Sequence, residues 1–211
     1  MWRKADGRLI AILFFVESLS QNFGVSATIL AMLGVLAERA TPSSLSTEAF
    51  TAYTNSLTGL LVIVFIGAQA VGRLAVTVFS WHPRVRQFSH VAMPVLGSAS
   101  CGAILALSPP GGVDSTTVPA LLMLCVLQGL VFATSWTIYP VLVLEKFPVR
   151  RVLYPLTFTL ALTGPMIATV VLSIAQSFLS TGYTFTLFTA LYVVSLALGL
   201  VLVPRLKDKQ S

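Results

Sequence analysis

Charged side chains are scarce in this sequence. Only 9% of its 211 residues are Asp, Glu, Lys or Arg, against roughly 25% in an ordinary soluble domain, while 56% are hydrophobic. The longest stretches without a charged residue are 49–72, 87–113, 115–144 and 152–204. Each is long enough to cross a hydrocarbon core, which takes about 20 apolar residues, and the last is long enough to cross twice. Such a composition excludes an ordinary soluble surface and predicts a protein of the lipid bilayer.

Cysteine and histidine are also rare. Cys101 and Cys125 lie within apolar runs and have no C-x-x-C spacing, so neither a disulfide framework nor a zinc site is predicted, and we interpret both as packing residues. His82 lies in a predicted loop and His90 at a predicted helix start, with no carboxylate or cysteine nearby to complete a metal site. We expect neither a metal nor another cofactor.

Breaks in hydrophobicity divide the chain into six predicted helices. Lipid offers no hydrogen-bond partner to a bare backbone, so membrane spans are helices or closed barrels, and the alternating pattern of barrel strands is not visible here. The longest uncharged stretch divides at residues 177–182, which are polar and contain a glycine. We therefore predict an all-α fold, with residues 1–211 forming a single six-helix transmembrane bundle. Its helices are predicted at about 9–37, 49–72, 88–108, 118–144, 152–177 and 183–204.

Basic residues are distributed unequally over the two sides of this predicted topology. Arg39 is alone on one side, and twelve basic residues lie on the other: Arg3, Lys4, Arg8, Arg73, Arg84, Arg86, Lys146, Arg150, Arg151, Arg205, Lys207 and Lys209. Short cytoplasmic loops hold an excess of Lys and Arg, so both termini are expected in the cytosol. The net charge of +6 is thereby explained without a nucleic-acid partner.

The second predicted helix is followed by a basic loop. Gly72, Arg73, Leu74 and Ser80 resemble the loop between the second and third helices of a major facilitator superfamily half, and the likeness is closer to its nodulin-like members. Residues 14–36 resemble the first helix of the nodulin-like second half. Its fourth helix and following loop are matched by Gly129, Trp136, Glu145, Phe147 and Tyr154. The resemblance covers nearly the whole chain.

This resemblance implies a secondary transporter and not an enzyme. The superfamily fold consists of two six-helix bundles, built from inverted repeats, that rock around a small-molecule substrate near the membrane midplane. The chain resembles the C-terminal bundle, so a second six-helix half is expected as its partner, either a missing N-terminal half or another copy. Gly72, Arg73 and Glu145 are the candidates for a conformational contact at the cytoplasmic side, where we expect Arg73 to approach Glu145.

The first predicted helix carries a stripe of polar residues. Glu17, Gln21, Gly24 and Thr28 share one helix face, and Asn22 follows Gln21. A carboxylate within a membrane costs a few kcal/mol and commonly has a function. We therefore predict that Glu17, Gln21 and Asn22 line a cavity and take part in substrate binding or proton coupling. The alternative is that Glu17 is interfacial, or pairs within the bundle.

The fourth predicted helix has a second polar stripe, in which Gln128, Ser135 and Tyr139 share one face and Trp136 is adjacent. Because the first and fourth helices of each half line the cavity in the resembled fold, the resemblance implies that these four residues bind substrate or couple its movement. The alternative is that their amide and hydroxyl groups hydrogen-bond between helices.

Two pairs of small residues, Ala68 with Gly72 and Ser98 with Gly102, have the i, i+4 spacing that allows helices to approach closely. We expect both pairs to serve packing.

Other functions remain open at this point. One is a non-transporting membrane subunit that modulates a partner. An intramembrane serine protease would need a Gly-x-Ser-Gly-like segment and a deep histidine, but GSAS at 97–100 lacks the final glycine. The Pro-x-[Asp/Glu]-x-x-[Lys/Arg] repeats of six-helix carriers and the Asn-Pro-Ala boxes of water channels are absent from the sequence.

Topology can be tested by labelling. In a background without Cys101 and Cys125, an impermeant thiol reagent applied to intact cells should leave Ser211→Cys unmodified, because the basic residues hold that terminus in the cytosol. An N-glycosylation acceptor engineered near Ser44 should be glycosylated. Modification of Ser211→Cys in intact cells would overturn the predicted orientation.

Overall fold

The computed structural model describes residues 12, 24–107, 118–146, 159, 166, 170, 174 and 181–207. Five helices run through these ranges, and no strand occurs in them, so the predicted all-α class is confirmed for the described residues. The helices are α1 (Gly24–Ala40), α2 (Thr47–Phe79), α3 (Pro83–Leu107), α4 (Val118–Lys146) and α5 (Thr181–Lys207). The fourth and sixth predicted helices, 118–144 and 183–204, agree closely with α4 and α5. About half of the first predicted helix, 9–37, is described, and this half is α1, which ends at Ala40 and not at residue 37. Most of the fifth predicted helix, 152–177, falls outside the described residues.

The predicted boundary between the second and third helices is wrong. Helix α2 continues two turns beyond Gly72 to Phe79, and α3 begins at Pro83 instead of residue 88. An arginine was interpreted as the end of the helix, but a charged side chain leaves the backbone ladder intact. The N–H of Ser80 still donates to the carbonyl oxygen of Val76 at 2.7 Å, and proline suits the first position of the next helix. The expected basic loop is therefore a three-residue turn, Ser80–His82.

Two of the described segments are long and apolar enough to cross a membrane: α2 and residues Tyr183–Val201 of α5. Only 17% of the most apolar part of α2 is buried within the chain, whereas a core helix of a soluble protein would be mostly buried. Outward-facing Leu60, Ile63 and Val71 are between 45% and 70% exposed. This apolar surface is suited to lipid.

Helices α2 and α4 lie side by side at small residues. A Cβ atom placed on Gly129 would lie 2.6 Å from the carbonyl oxygen of Phe65 and 2.8 Å from the Cβ of Ala68, and one placed on Gly72 would lie 2.9 Å from the Cβ of Ala133. Residue numbers rise together along both helices, so α2 and α4 run parallel. The expected close approach at Ala68 and Gly72 is confirmed, and Gly129 and Ala133 form the matching surface of α4.

The second small-residue pair behaves differently. No atom lies within 4 Å of a Cβ placed on Gly102, so the close approach expected there is not found in the described part of the chain. The contact is made instead on the neighbouring face of α3, where a Cβ on Gly97 would overlap the ring of Tyr192 from α5. Gly97 and Cys101 share that buried face, and Gly102 is turned about 100° away from Cys101 around the helix.

The described helices form two main pairs. Helix α2 packs chiefly on α4, and α3 chiefly on α5, while α3 also contacts α4 and α1 covers α2. One apolar core connects all of them, and its fully buried large side chains include Ile29, Leu33, Leu36, Leu61, Leu121, Leu124, Phe185 and Phe188. Thr41, at the end of α1, is joined to Thr54 of α2 through hydroxyl oxygens 2.9 Å apart.

Alanine substitution should separate packed glycines from free ones. Gly129→Ala should lower the free energy of unfolding by about 1–3 kcal/mol, because the new methyl group meets a backbone carbonyl that cannot rotate away. Gly67→Ala is the matched control, since it lies on the same α2–α4 pair but has no described atom within 4 Å of an added Cβ. Unfolding in mixed micelles measures both changes, and equal stability of the two variants would contradict the close packing.

Candidate functional site

Gln128 is fully buried at the centre of a polar cluster that joins three helices. Its side-chain amide Nε2 donates to the Ser100 hydroxyl oxygen at 2.8 Å and, more weakly, to the Cys101 sulfur at 3.5 Å. Its Oε1 accepts a 2.7 Å hydrogen bond from the hydroxyl of Tyr192. Helix α4 is thereby tied to both α3 and α5. We call Gln128, Ser100, Cys101 and Tyr192 the Gln128 cluster.

Each polar atom at the centre of this cluster has a partner. The Ser100 hydroxyl donates to the carbonyl oxygen of Gly97 at 2.8 Å and accepts a hydrogen bond from Gln128, so it is both a donor and an acceptor in the cluster. Tyr192 reaches Gln128 because its ring lies over Gly97, where any side chain would block it. Ser100 is 2% exposed, and the other three members are completely buried. This geometry is that of the alternative interpretation, an amide hydrogen-bonded between helices.

The remaining cavity candidates lie outside what the structure describes. Glu17, Gln21 and Asn22 precede the start of α1 at Gly24. Ser135, Trp136 and Tyr139 lie on α4, but their side chains are outside the described part. Of the seven residues predicted to bind or couple a substrate, Gln128 alone therefore has a described environment.

The conformational candidates separate along α2 and α4. Gly72 is buried against α4, and the Arg73 guanidinium carbon lies 6.0 Å from the ring centre of Phe132. In the parallel register Gly72 faces Ala133, so Arg73 is level with residue 134, eleven residues before Glu145. That offset is about 16 Å along the helix axis, beyond the combined reach of the two side chains. The side chain of Glu145 lies outside the described part, but this register does not favour the expected approach of Arg73 to Glu145.

Ser100 and Tyr192 were not selected as candidates from the sequence. Tyr192 is the residue that could have indicated this cluster, because a tyrosine within an apolar helix usually needs a hydrogen-bond partner for its hydroxyl. Two other buried hydroxyls, those of Ser98 on α3 and Ser195 on α5, have no hydrogen-bond partner among the described residues. They retain a capacity for hydrogen bonding inside the helix bundle.

No metal centre is formed in the described part of the chain, since no group of three or more His, Cys, Asp or Glu side chains there is placed to hold an ion. Comparison with known protein families, with curated proteins and with solved structures finds no match to this chain. The described fold itself defines an all-helical protein with at least two segments that can span a membrane.

The Gln128 cluster can be tested with a double-mutant cycle. Tyr192→Phe removes a hydroxyl and leaves the amide oxygen of Gln128 without its donor, so the free energy of unfolding should fall by about 0.6–1.7 kcal/mol, the range for hydrogen bonds between membrane helices. Gln128→Leu should be destabilising, and the double variant should lose less than the sum of the two single losses. Tyr183→Phe is the control, because Tyr183 lies on the same helix and is 66% exposed. Strict additivity of Tyr192→Phe and Gln128→Leu would exclude the coupling.

Proposed function

We propose that the chain is a six-helix half of a major facilitator-type secondary transporter, which moves a small solute across a membrane by alternating access. The observation that carries this proposal is the meeting of α2 and α4 at Gly72 and Gly129. Both glycines belong to the stretches that resemble the superfamily, Gly72 where the resemblance to its basic loop begins and Gly129 in the resemblance to its fourth helix. A side chain at either position would collide with the other helix. The resemblance therefore includes two residues that must be small for α2 and α4 to pack.

Two helices that could span a membrane support the same proposal. Helix α2 and Tyr183–Val201 of α5 are long and apolar enough to span, and we propose that six helices cross in all, with both termini in the cytosol. Alternating access around a midplane site requires two bundles. We therefore propose a second six-helix half as the partner, supplied by another chain or another copy.

The proposed solute site lies away from the Gln128 cluster, because the nitrogen and the oxygen of the buried Gln128 amide both have partners within the bundle. Glu17, Gln21 and Asn22 on the predicted first helix, together with Ser135, Trp136 and Tyr139 further along α4, are the residues proposed to bind or couple the solute. Among them Glu17 is the proposed coupling residue, since it can gain and lose a proton.

The closed Gln128 cluster is also the observation that favours a second candidate, a membrane subunit that modulates a partner and transports nothing. In such a bundle the Gln128 amide has a structural role in joining helices and does not need to bind a solute. Transport by the purified chain separates the two candidates.

Uptake into proteoliposomes tests the transport proposal. Vesicles containing the purified protein, incubated with a small-molecule cell extract, should accumulate at least one solute above the level in protein-free vesicles. Glu17→Gln should remain folded and change the pH dependence of that uptake, because an amide cannot exchange the proton that coupling requires. Glu48→Gln is the matched control, since Glu48 is an exposed acid in the first turn of α2.

Two results would count against this assignment. The same uptake at every pH in the wild type and in Glu17→Gln would remove Glu17 from the coupling role. Accumulation of no solute by vesicles whose protein has the assembly mass of two halves would favour the non-transporting subunit.

A further inference from the structure

The junction between α2 and α3 exposes aromatic side chains in an unusual way. Trp81 is 84% exposed, the highest value among the large hydrophobic side chains of the described residues, and Phe79 and Phe88 are 62% and 69% exposed. Leu74, near the end of α2, is 72% exposed. We call residues 73–88 the elbow. An apolar surface of this kind at a helix end needs an environment other than water.

The elbow is an ordered turn. The His82 N–H donates to the carbonyl oxygen of Phe79 at 3.1 Å, and the Val85 N–H donates to the carbonyl oxygen of His82 at 3.0 Å. The backbone N–H of Arg84 also donates to the His82 ring nitrogen Nδ1 at 3.3 Å. These bonds fix the turn while Trp81 points outward, so its exposure is a property of the folded turn.

Two exposed arginines lie on either side of the turn. Arg73 is on α2, six residues before Phe79, and Arg84 is the second residue of α3. No ion pair joins either arginine to a carboxylate of the described residues, and the contact found for Arg73 is the Phe132 ring. Glu38 and Glu48, by contrast, lie near the α1–α2 connection, at the far end of α2. The elbow therefore has positive charge without neighbouring negative charge among the described side chains.

Arg73 and Arg84 lie at different depths relative to the end of α2. Six residues of helix place Arg73 about 9 Å below the end of α2. A bilayer of about 40–45 Å with a hydrocarbon core of about 30 Å leaves roughly 5–8 Å of headgroups on each side. With Phe79 at the boundary between headgroups and acyl chains, Arg73 lies below that boundary and extends its stem upward to the headgroups, while Arg84, beyond the turn, lies in the headgroup layer itself.

We infer that the elbow is a binding site for anionic phospholipid headgroups. The guanidinium groups of Arg73 and Arg84 bind the phosphate oxygens, which arginine pairs with well, and a serine or other anionic headgroup adds to the attraction. Trp81 and Phe79 occupy the boundary between headgroups and acyl chains, where aromatic side chains are enriched in membrane proteins. This site does not depend on transport, and it exists whichever solute the protein moves.

Fluorescence quenching of Trp81 tests the inference. A variant with Trp2→Phe and Trp136→Phe, which retains Trp81 as its single tryptophan, is reconstituted into phosphatidylcholine nanodiscs. A fixed share of the lipid is replaced by brominated phosphatidylserine or by brominated phosphatidylcholine. The phosphatidylserine probe should quench Trp81 more strongly, because it is enriched at the elbow, and added salt should reduce the difference.

Charge variants show whether the arginines cause this preference. Removing each arginine should reduce the relative association of phosphatidylserine by about fivefold, which corresponds to ~1 kcal/mol for a basic residue at an anionic surface. Arg73→Gln with Arg84→Gln is the main variant, and Arg73→Lys with Arg84→Lys should restore most of the preference.

Arg39→Gln is the matched control, because Arg39 is equally an exposed arginine but lies in the last turn of α1. Arg84→Gln alone covers the case in which loss of the Arg73–Phe132 contact disturbs folding, which circular dichroism reports.

Several results would overturn the site. Equal quenching by the two brominated lipids would show that the headgroup is not recognised. A preference that survives in folded Arg73→Gln with Arg84→Gln, and in Arg84→Gln alone, would show that these two arginines do not bind the anionic lipid. Loss of the preference in Arg39→Gln would show a general effect of charge and not a site at the elbow.

Discussion

A buried amide without hydrogen-bond partners is the arrangement that an apolar helix bundle can least tolerate, and the packing of α3, α4 and α5 follows from avoiding it. Apolar surroundings supply no donors or acceptors, so the buried Gln128 must find its partners on neighbouring helices. Ser100 and Tyr192 supply them at 2.8 and 2.7 Å. The position of Tyr192 in turn requires a residue without a side chain at position 97. One polar residue on α4 thus restricts the residues of α3 and α5 that contact it.

The α2–α4 contact is built on a different principle. Hydrophobic attraction does not draw helices together when their surroundings are equally apolar, so close van der Waals contact has to do so. Gly72 and Gly129 allow that contact because neither places a side chain between the helices. The bundle therefore combines one interface fixed by shape with another fixed by hydrogen bonds. Helix α4 takes part in both, and a movement of α4 would have to break the Gln128 cluster or slide along α2.

Some of these features could be predicted from the sequence. Scarce charge and long apolar stretches gave the helical class, and the bounds of α4 and α5 followed from where those stretches end. Spacing alone identified Ala68 and Gly72 as a packing pair. The same spacing misled at Gly102, because it does not reveal which face of α3 meets another helix. Arg73 was interpreted as a helix end because charge was equated with a loop, although the backbone bonds of α2 continue past it. The partners of Gln128 come from residues 28 and 64 positions away, and one sequence does not specify such distant pairs.

The central claim is that Gln128 is closed off from water inside the bundle, and Cys101 is a native probe for it because its sulfur lies 3.5 Å from the Gln128 amide nitrogen. The measurement is modification of Cys101 by a water-soluble maleimide in the membrane-embedded protein, with Cys125→Ala making Cys101 the single cysteine. A closed cluster predicts no modification of the folded protein and complete modification after denaturation in SDS. Rapid modification of the folded protein would show that a water-filled cavity reaches Gln128, and would contradict its role as a structural tie.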